Sequence, residues 1–270
     1  MKKAALLLLI VCLASCVTKG KSDYQTQIDP DTAAKVNTII QSIVIPETGS
    51  TPGDMISHIS ASFLNTPYKA DTLSGSPDTP EILVADFNGV DCFTLIDYVY
   101  ALSLSKKSED FLPALVKTRY VGGKVDYLHR KHFFSDWYAT LPQNAEDVTA
   151  SLSNNYVMVR KNINRKADGG EYIPGLGITP REIKYIPGEA LNNAVLKNLK
   201  NGDFIGVYTP LEGLDVTHVG IVIKEGNKVL FRNASSLEKN MKVVDAPLLD
   251  YMKTKPGMIV LRAIQPGKAE

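Results

Sequence analysis

Three cysteines, one tryptophan and four histidines among 270 residues leave little material for a disulfide scaffold or a histidine-rich metal centre. An excess of charge of one sign is missing too. Thirty Lys and Arg face 29 Asp and Glu, and no run of like charges occurs, so the electrostatic grip that nucleic acid requires is absent. No nucleic acid partner is expected. The apolar run from Ala4 to Leu13 is far shorter than the roughly 20 residues of a membrane-spanning helix. What is present is ordinary globular material: 44% hydrophobic residues, enough for one sizeable core without staples.

The beginning of the chain has the grammar of an export signal. Lys2 and Lys3 precede the apolar run, and the small residues Ala14 and Ser15 follow it. Leu13-Ala14-Ser15-Cys16 resembles the bacterial lipobox, which implies cleavage before Cys16 and acylation of that cysteine. Residues 1–15 are therefore expected as a lipoprotein signal peptide, and residues 16–28 as a lipidated tether. Several acyl chains, at about 0.8 kcal/mol per buried CH₂, would hold the protein at a membrane. Val17 favours an outer-membrane anchor facing the periplasm. Removal of residues 1–15 takes away two of the 30 basic side chains and leaves 28 against 29 acidic ones, so lipid rather than charge would provide the attachment.

Cysteine usage then narrows the chemistry. Cys12 departs with the signal and Cys16 is consumed by lipid, which leaves Cys92 as an unpaired thiol in an exported protein. Leu95, Val99 and Leu102 fall on one helical face with Ile96 beside them, and Asp91 stands where an N-cap would. Cys92 is thus predicted in the first turn of a helix, where the dipole and free N–H groups favour thiolate and can stabilise an oxyanion.

His218 begins an apolar strand, and a second strand follows a short turn. A two-residue turn at Glu225-Gly226 sets Asn233 directly across from His218. One at Gly226-Asn227 sets Ser235 across and Asn233 one step diagonal on the same face. Either register brings His218 and Asn233 together, with Asn233 able to fix the imidazole tautomer. Helices first and strands later, without alternation, predict an α+β fold with an antiparallel sheet. Strands are expected at 157–160, 181–186, 203–208, 218–223, 229–233 and 258–263. His129 and His132 lie three apart, but no carboxylate or third histidine stands at ligand spacing. No metal and no cofactor are expected.

Asp91-Cys92, the His218-Val219-Gly220-Ile221 strand and Asn233-Ala234-Ser235 resemble the NlpC-type branch of papain-like cell-wall hydrolases. More narrowly, Asp91-Cys92-Phe93-Thr94, Arg119-Tyr120, Arg130-Lys131-His132-Phe133, Asp136-Trp137, Gly177 to Arg181, Tyr185-Ile186-Pro187 and Leu214 to Gly220 resemble the N-acetylmuramoyl-L-alanine amidase-like family, in that family's order. The resemblance implies a papain-like core over residues 29–270, with a helix bearing the catalytic cysteine packed on a sheet bearing His and Asn. It also implies a cysteine amidase acting between N-acetylmuramic acid, 1,6-anhydro forms included, and L-Ala of the stem peptide. Cys92, His218 and Asn233 become the expected catalytic residues. Tyr68, Asp91, Arg130, His132, Trp137 and Arg181 become the expected substrate-binding ones. Phe93 stands where endopeptidases of this branch usually carry serine, which favours cleavage on the sugar side of L-Ala. A stem-peptide endopeptidase of the same fold, or a non-catalytic peptidoglycan-binding lipoprotein, are the alternatives. The expected partners are a muropeptide or peptidoglycan fragment and the membrane, with the protein itself a monomer.

Overall fold

The computed structural model describes residues 24–264; the expected signal peptide, Cys12 and the Cys16 lipidation site lie outside them. The first part of the chain is mainly helical, with strand β1 (Gln25–Ile28), helix α1 (Pro30–Ile39) and helix α2 (Pro52–Ala61) leading it. Both helices begin with a capping side chain followed by proline. Asp29 accepts from the amides of Asp31 and Thr32, and Thr51 accepts from that of Asp54. Proline at the first helical position loses nothing, because its missing N–H would have been unpaired.

The last residues of the stretch expected as a tether, through residue 28, are part of a sheet. Gln25–Ile28 form a strand that pairs in parallel with β3 (Thr79–Ala85), while β2 (Ser74–Ser76) takes the other side of β3. Helix α3 (Cys92–Ser103) and helix α4 (Phe111–Arg119) come next. Leu95, Ile96, Val99 and Leu102 of α3 are fully buried, worth on the order of 1.5–3 kcal/mol apiece relative to exposure.

Short elements follow: α5 (Asp136–Ala139), β4 (Ala145–Asp147) and α6 (Thr149–Leu152). The chain then builds the main sheet from β5 (Val157–Ile163), β6 (Thr179–Pro187), β7 (Phe204–Tyr208), β8 (Val216–Glu225), β9 (Lys228–Ser235), β10 (Lys242–Pro247) and β11 (Gly257–Ala263). Helix α7 (Asn193–Asn198) precedes β7, and α8 (Leu248–Met252) links β10 to β11. The strand order is β10-β9-β8-β7-β11-β6-β5, with β4 added beside β11, and these pairings are antiparallel. The fold class is therefore α+β, as expected.

Both faces of the central strands are covered, which explains why they read as continuous apolar runs. On β8, Val219, Ile221 and Ile223 join the core that contains α3, whereas Val222 joins a second core with Phe231 and residues of α6, α7 and α8. All five residues of β7 are buried.

A charged pair fixes α3 within the first core. Arg119 donates through Nε to Asp97 at 2.8 Å and through Nη1 to the Val84 carbonyl at 2.7 Å, tying α4, α3 and β3 together. Both side chains are buried. Desolvating two charges costs about as much as their attraction returns, so the pair specifies position more than it adds stability.

Candidate functional site

Cys92 is the first residue of α3, and Asp91 is its N-cap, both where the sequence puts them. Asp91 Oδ1 accepts from the amides of Phe93 at 2.9 Å and Thr94 at 2.7 Å, and the Thr94 hydroxyl accepts from the Asp91 amide at 3.0 Å. This reciprocal box holds the first turn rigidly. The Cys92 sulfur faces three amides, those of Val219, Cys92 itself and Phe93, each of which favours thiolate. They do not win. Burial first, and the adjacent Asp91 charge second, push the thiol up to about 12. The thiolate expected from the helix dipole is thus opposed by the same carboxylate that caps the helix.

The Val219 amide belongs to β8, one residue beyond His218, so the start of α3 meets the sheet beside the imidazole. The geometry there follows from the hairpin. β8 and β9 pair from Glu225–Lys228 to Ile221–Arg232, which makes Gly226-Asn227 the turn and sets Asn233 diagonal to His218. His218 Nε2 donates to Asn233 Oδ1 at 2.9 Å. The amide cannot sensibly be reversed, because Asn233 Nδ2 donates to the Phe231 carbonyl at 3.2 Å. In neutral His218 the lone pair therefore resides on Nδ1. Gly220 is needed between them: a Cβ there would lie 2.4 Å from the Arg232 carbonyl and 2.5 Å from the Phe231 ring.

Burial lowers the His218 pKa below its usual 6.5, and Lys255 lowers it further, while the Asn233 bond and Asp91 act in the opposite direction. The Asp91 influence is a second sign that the start of α3 and His218 are neighbours.

Tyr68 reaches the same place from the loop before β2. Its segment is laced to the approach to α3, with Lys69 N–H donating to the Val90 carbonyl and Val90 N–H to that of Pro67, both at 3.0 Å. Its phenol is raised, chiefly by burial and next by Cys92, and both residues pack against the same core. A further residue escaped the sequence reading. Tyr251 of α8 has its ring 6.4 Å from the His218 imidazole and 4.9 Å from Phe231, and its pKa too is raised by burial and by Cys92. An aromatic in a five-residue helix near the end of the chain carries no local signal of such a place.

Four expected substrate contacts are otherwise engaged. Trp137 is fully buried, packed on Tyr100 and Phe204 with centroids 5.6 and 4.9 Å away, so it is core and not a sugar platform. Arg130 donates to both carboxylate oxygens of Glu81 and to the Ser74 carbonyl. Arg181 donates to Asp136 at 2.8 Å and to the Ser135 hydroxyl at 2.6 Å. The two arginines line one cavity of about 120 Å³, but each already has its carboxylate.

His132 donates through Nε2 to the Tyr127 carbonyl at 2.7 Å, and burial brings its pKa from 6.5 down to about 4. The depressed value makes it a stability element. Its contribution is present above pH 6.5 and is lost as pH falls through 4, up to on the order of 3 kcal/mol. Urea midpoints of the native protein and His132→Asn should therefore converge between neutral pH and pH 4; parallel curves would remove this role.

A family model described as AmiA-like, N-acetylmuramoyl-L-alanine amidase-like, matches residues 58–258, well over half the chain. Among solved structures, an N-acetylmuramoyl-L-alanine amidase from Bacteroides uniformis is similar with a TM-score of 0.70 at 30% identity, covering 80% of this chain and 100% of that one. A protein from Legionella pneumophila shares the fold at a TM-score of 0.71 and 24% identity, over 87% and 96% of the two chains. No curated protein matches. The matched span contains Tyr68, Cys92, His218, Asn233 and Tyr251, so the family assignment covers the whole constellation: this chain belongs to the N-acetylmuramoyl-L-alanine amidase-like family.

Proposed function

We propose that the protein is a cysteine amidase, with an NlpC-type papain-like core, that hydrolyses the amide between N-acetylmuramic acid and L-Ala of muropeptides, including 1,6-anhydro forms. The observation that carries the reading is a thiol at the first turn of α3 facing the Val219 amide, beside a histidine whose Nε2–H is held by Asn233. In this reading His218 Nδ1 takes the Cys92 proton as sulfur attacks the lactyl carbonyl. The imidazolium returns that proton to the departing L-Ala amine, leaving a thioester. Water, deprotonated by the same nitrogen, cleaves the thioester and regenerates the thiol.

The Cys92 amide and the Tyr68 hydroxyl are the proposed oxyanion donors, one such donor being worth roughly 2.7–4 kcal/mol. Tyr68 is suited by position, since its phenol and the Cys92 sulfur are electrostatically coupled. Asn233 orients without ionising, so its loss should cost less than that of Cys92 or His218. Export as an outer-membrane lipoprotein anchored through Cys16, and action as a monomer, complete the proposal.

The test is mass spectrometry of products from defined disaccharide peptides and their anhydro counterparts, with a chelator arm. Free stem peptide plus intact sugar, unaffected by chelator, is the expected result. Cleavage within the stem would move the assignment to an endopeptidase, and no product from folded protein would leave a binding lipoprotein.

A further inference from the structure

We propose that Lys255, seated on the ring of Tyr251, is the cationic anchor for the α-carboxylate of the stem residue that follows L-Ala. This inference rests on the amidase reading above and names which part of the substrate lies on the His218 side of the site.

The argument begins with what is already engaged. Arg130 and Arg181, the cations that the sequence offers for a stem carboxylate, are bound to Glu81 and Asp136. Lys255 is different. Among the described residues no carboxylate lies within ion-pair distance of it, and Asp250, the acid of α8, is taken by Lys253 at 2.7 Å.

Its position is fixed from two directions. The Lys255 amide donates to the Met252 carbonyl at 2.9 Å, and its own carbonyl packs so tightly on Gly188 that a Cβ there would approach to 2.1 Å. The ammonium sits 5.2 Å from the centroid of Tyr251, within cation–π range. The same ring stands 6.4 Å from the His218 imidazole. Tyr251 thus connects a free ammonium to the reacting groups, and the Lys255 charge is felt at His218.

The spacing suits a substrate. With the scissile carbonyl at Cys92, L-Ala and the residue after it, at about 3.3–3.6 Å each, place the second residue's α-carboxylate about 7 Å along the chain. The Tyr251 centroid, on which Lys255 is seated, stands 6.4 Å from the imidazole. An ammonium seated on an aromatic face and lacking a carboxylate partner among the described residues favours a carboxylate over a neutral amide, because only the ion adds charge–charge attraction to the hydrogen bond.

The probes are muramyl dipeptides ending in D-isoglutamate or in its α-amide, D-isoglutamine, which differ at that one group. The wild-type protein should process the acid about tenfold more efficiently, with the difference carried by KM. Lys255→Met should bring the two substrates level, and Lys255→Arg should restore the preference. Equal use of both by wild type, or an unchanged preference in Lys255→Met, would overturn the proposal. A binding arm separates this from the amidase reading: calorimetric titration of Cys92→Ala, with and without Lys255→Met, requires no turnover. Lys255-dependent preference in binding, without any cleavage by wild type, would sink the amidase chemistry and keep the anchor. Indifference in binding would sink the anchor whatever the chemistry.

Discussion

Cys92→Ala is expected to lower release of stem peptide by about 10³-fold or more, since on the proposed mechanism it removes the nucleophile from a cooperating set and with it nearly all of the covalent route. The fold should survive. Asp91 caps α3 through the amides of Phe93 and Thr94, and none of these contacts involves the sulfur. The apolar anchorage of the helix begins at Leu95. What the substitution removes is one small, half-buried group, leaving the Val219 amide without the sulfur it faces, worth about 1–3 kcal/mol at most. A thermal melt beside the activity assay separates the two effects. Cys92→Ser keeps an acceptor at the same place and should rescue the melt but not the turnover. More than a tenth of wild-type activity in Cys92→Ala would remove the thiol from the chemistry.

The parts of this site legible in the sequence were those fixed over short distances. A cap, a first turn and an apolar stripe are all written between Asp91 and Leu102. The hairpin needed only its turn: the observed Gly226-Asn227 connection is one of two that bring Asn233 to His218. Residues whose partners are remote were not legible in this way. Arg130 finds Glu81 49 positions away and Arg181 finds Asp136 45 positions away, so the sequence displayed cations without showing that their charge was already matched. Trp137 failed for a related reason, because a lone tryptophan looks the same whether it faces a groove or Phe204. The strand at Gln25–Ile28 was hidden likewise, since its partner is Ile82–Ala85 and three of its four residues are polar. The helix dipole was real, but its effect on the thiol could not be judged without the burial that opposes it.

That opposition leads to the second large effect, in the pH dependence of the thiol. Burial and Asp91 push Cys92 up to about 12, and burial with Lys255 lowers His218 below 6.5, so both shifts favour thiol and neutral imidazole as the resting pair at neutral pH. An ion pair would require the thiol to titrate below the imidazole. Tyr251 and Tyr68, which also adjoin the sulfur, are themselves raised and contribute no charge near neutrality. On the proposed mechanism turnover then needs His218 as a neutral base: kcat/KM should stay level near neutral pH and fall only as pH drops through a value under 6.5. Lys255→Met should move that limb upward, because removal of the positive charge makes protonation of His218 easier. Alkylation of the free protein by iodoacetamide reports the thiolate directly. It should be slow at pH 7 and climb by about tenfold per pH unit well into the alkaline range. In His218→Gln turnover should be lost, while alkylation should keep its alkaline slope, because the imidazole is not what ionises the resting thiol. A fast alkylation plateau from pH 5 to 8 that vanishes in His218→Gln would instead establish a preformed thiolate–imidazolium pair, in which the imidazolium charge outweighs both burial and Asp91.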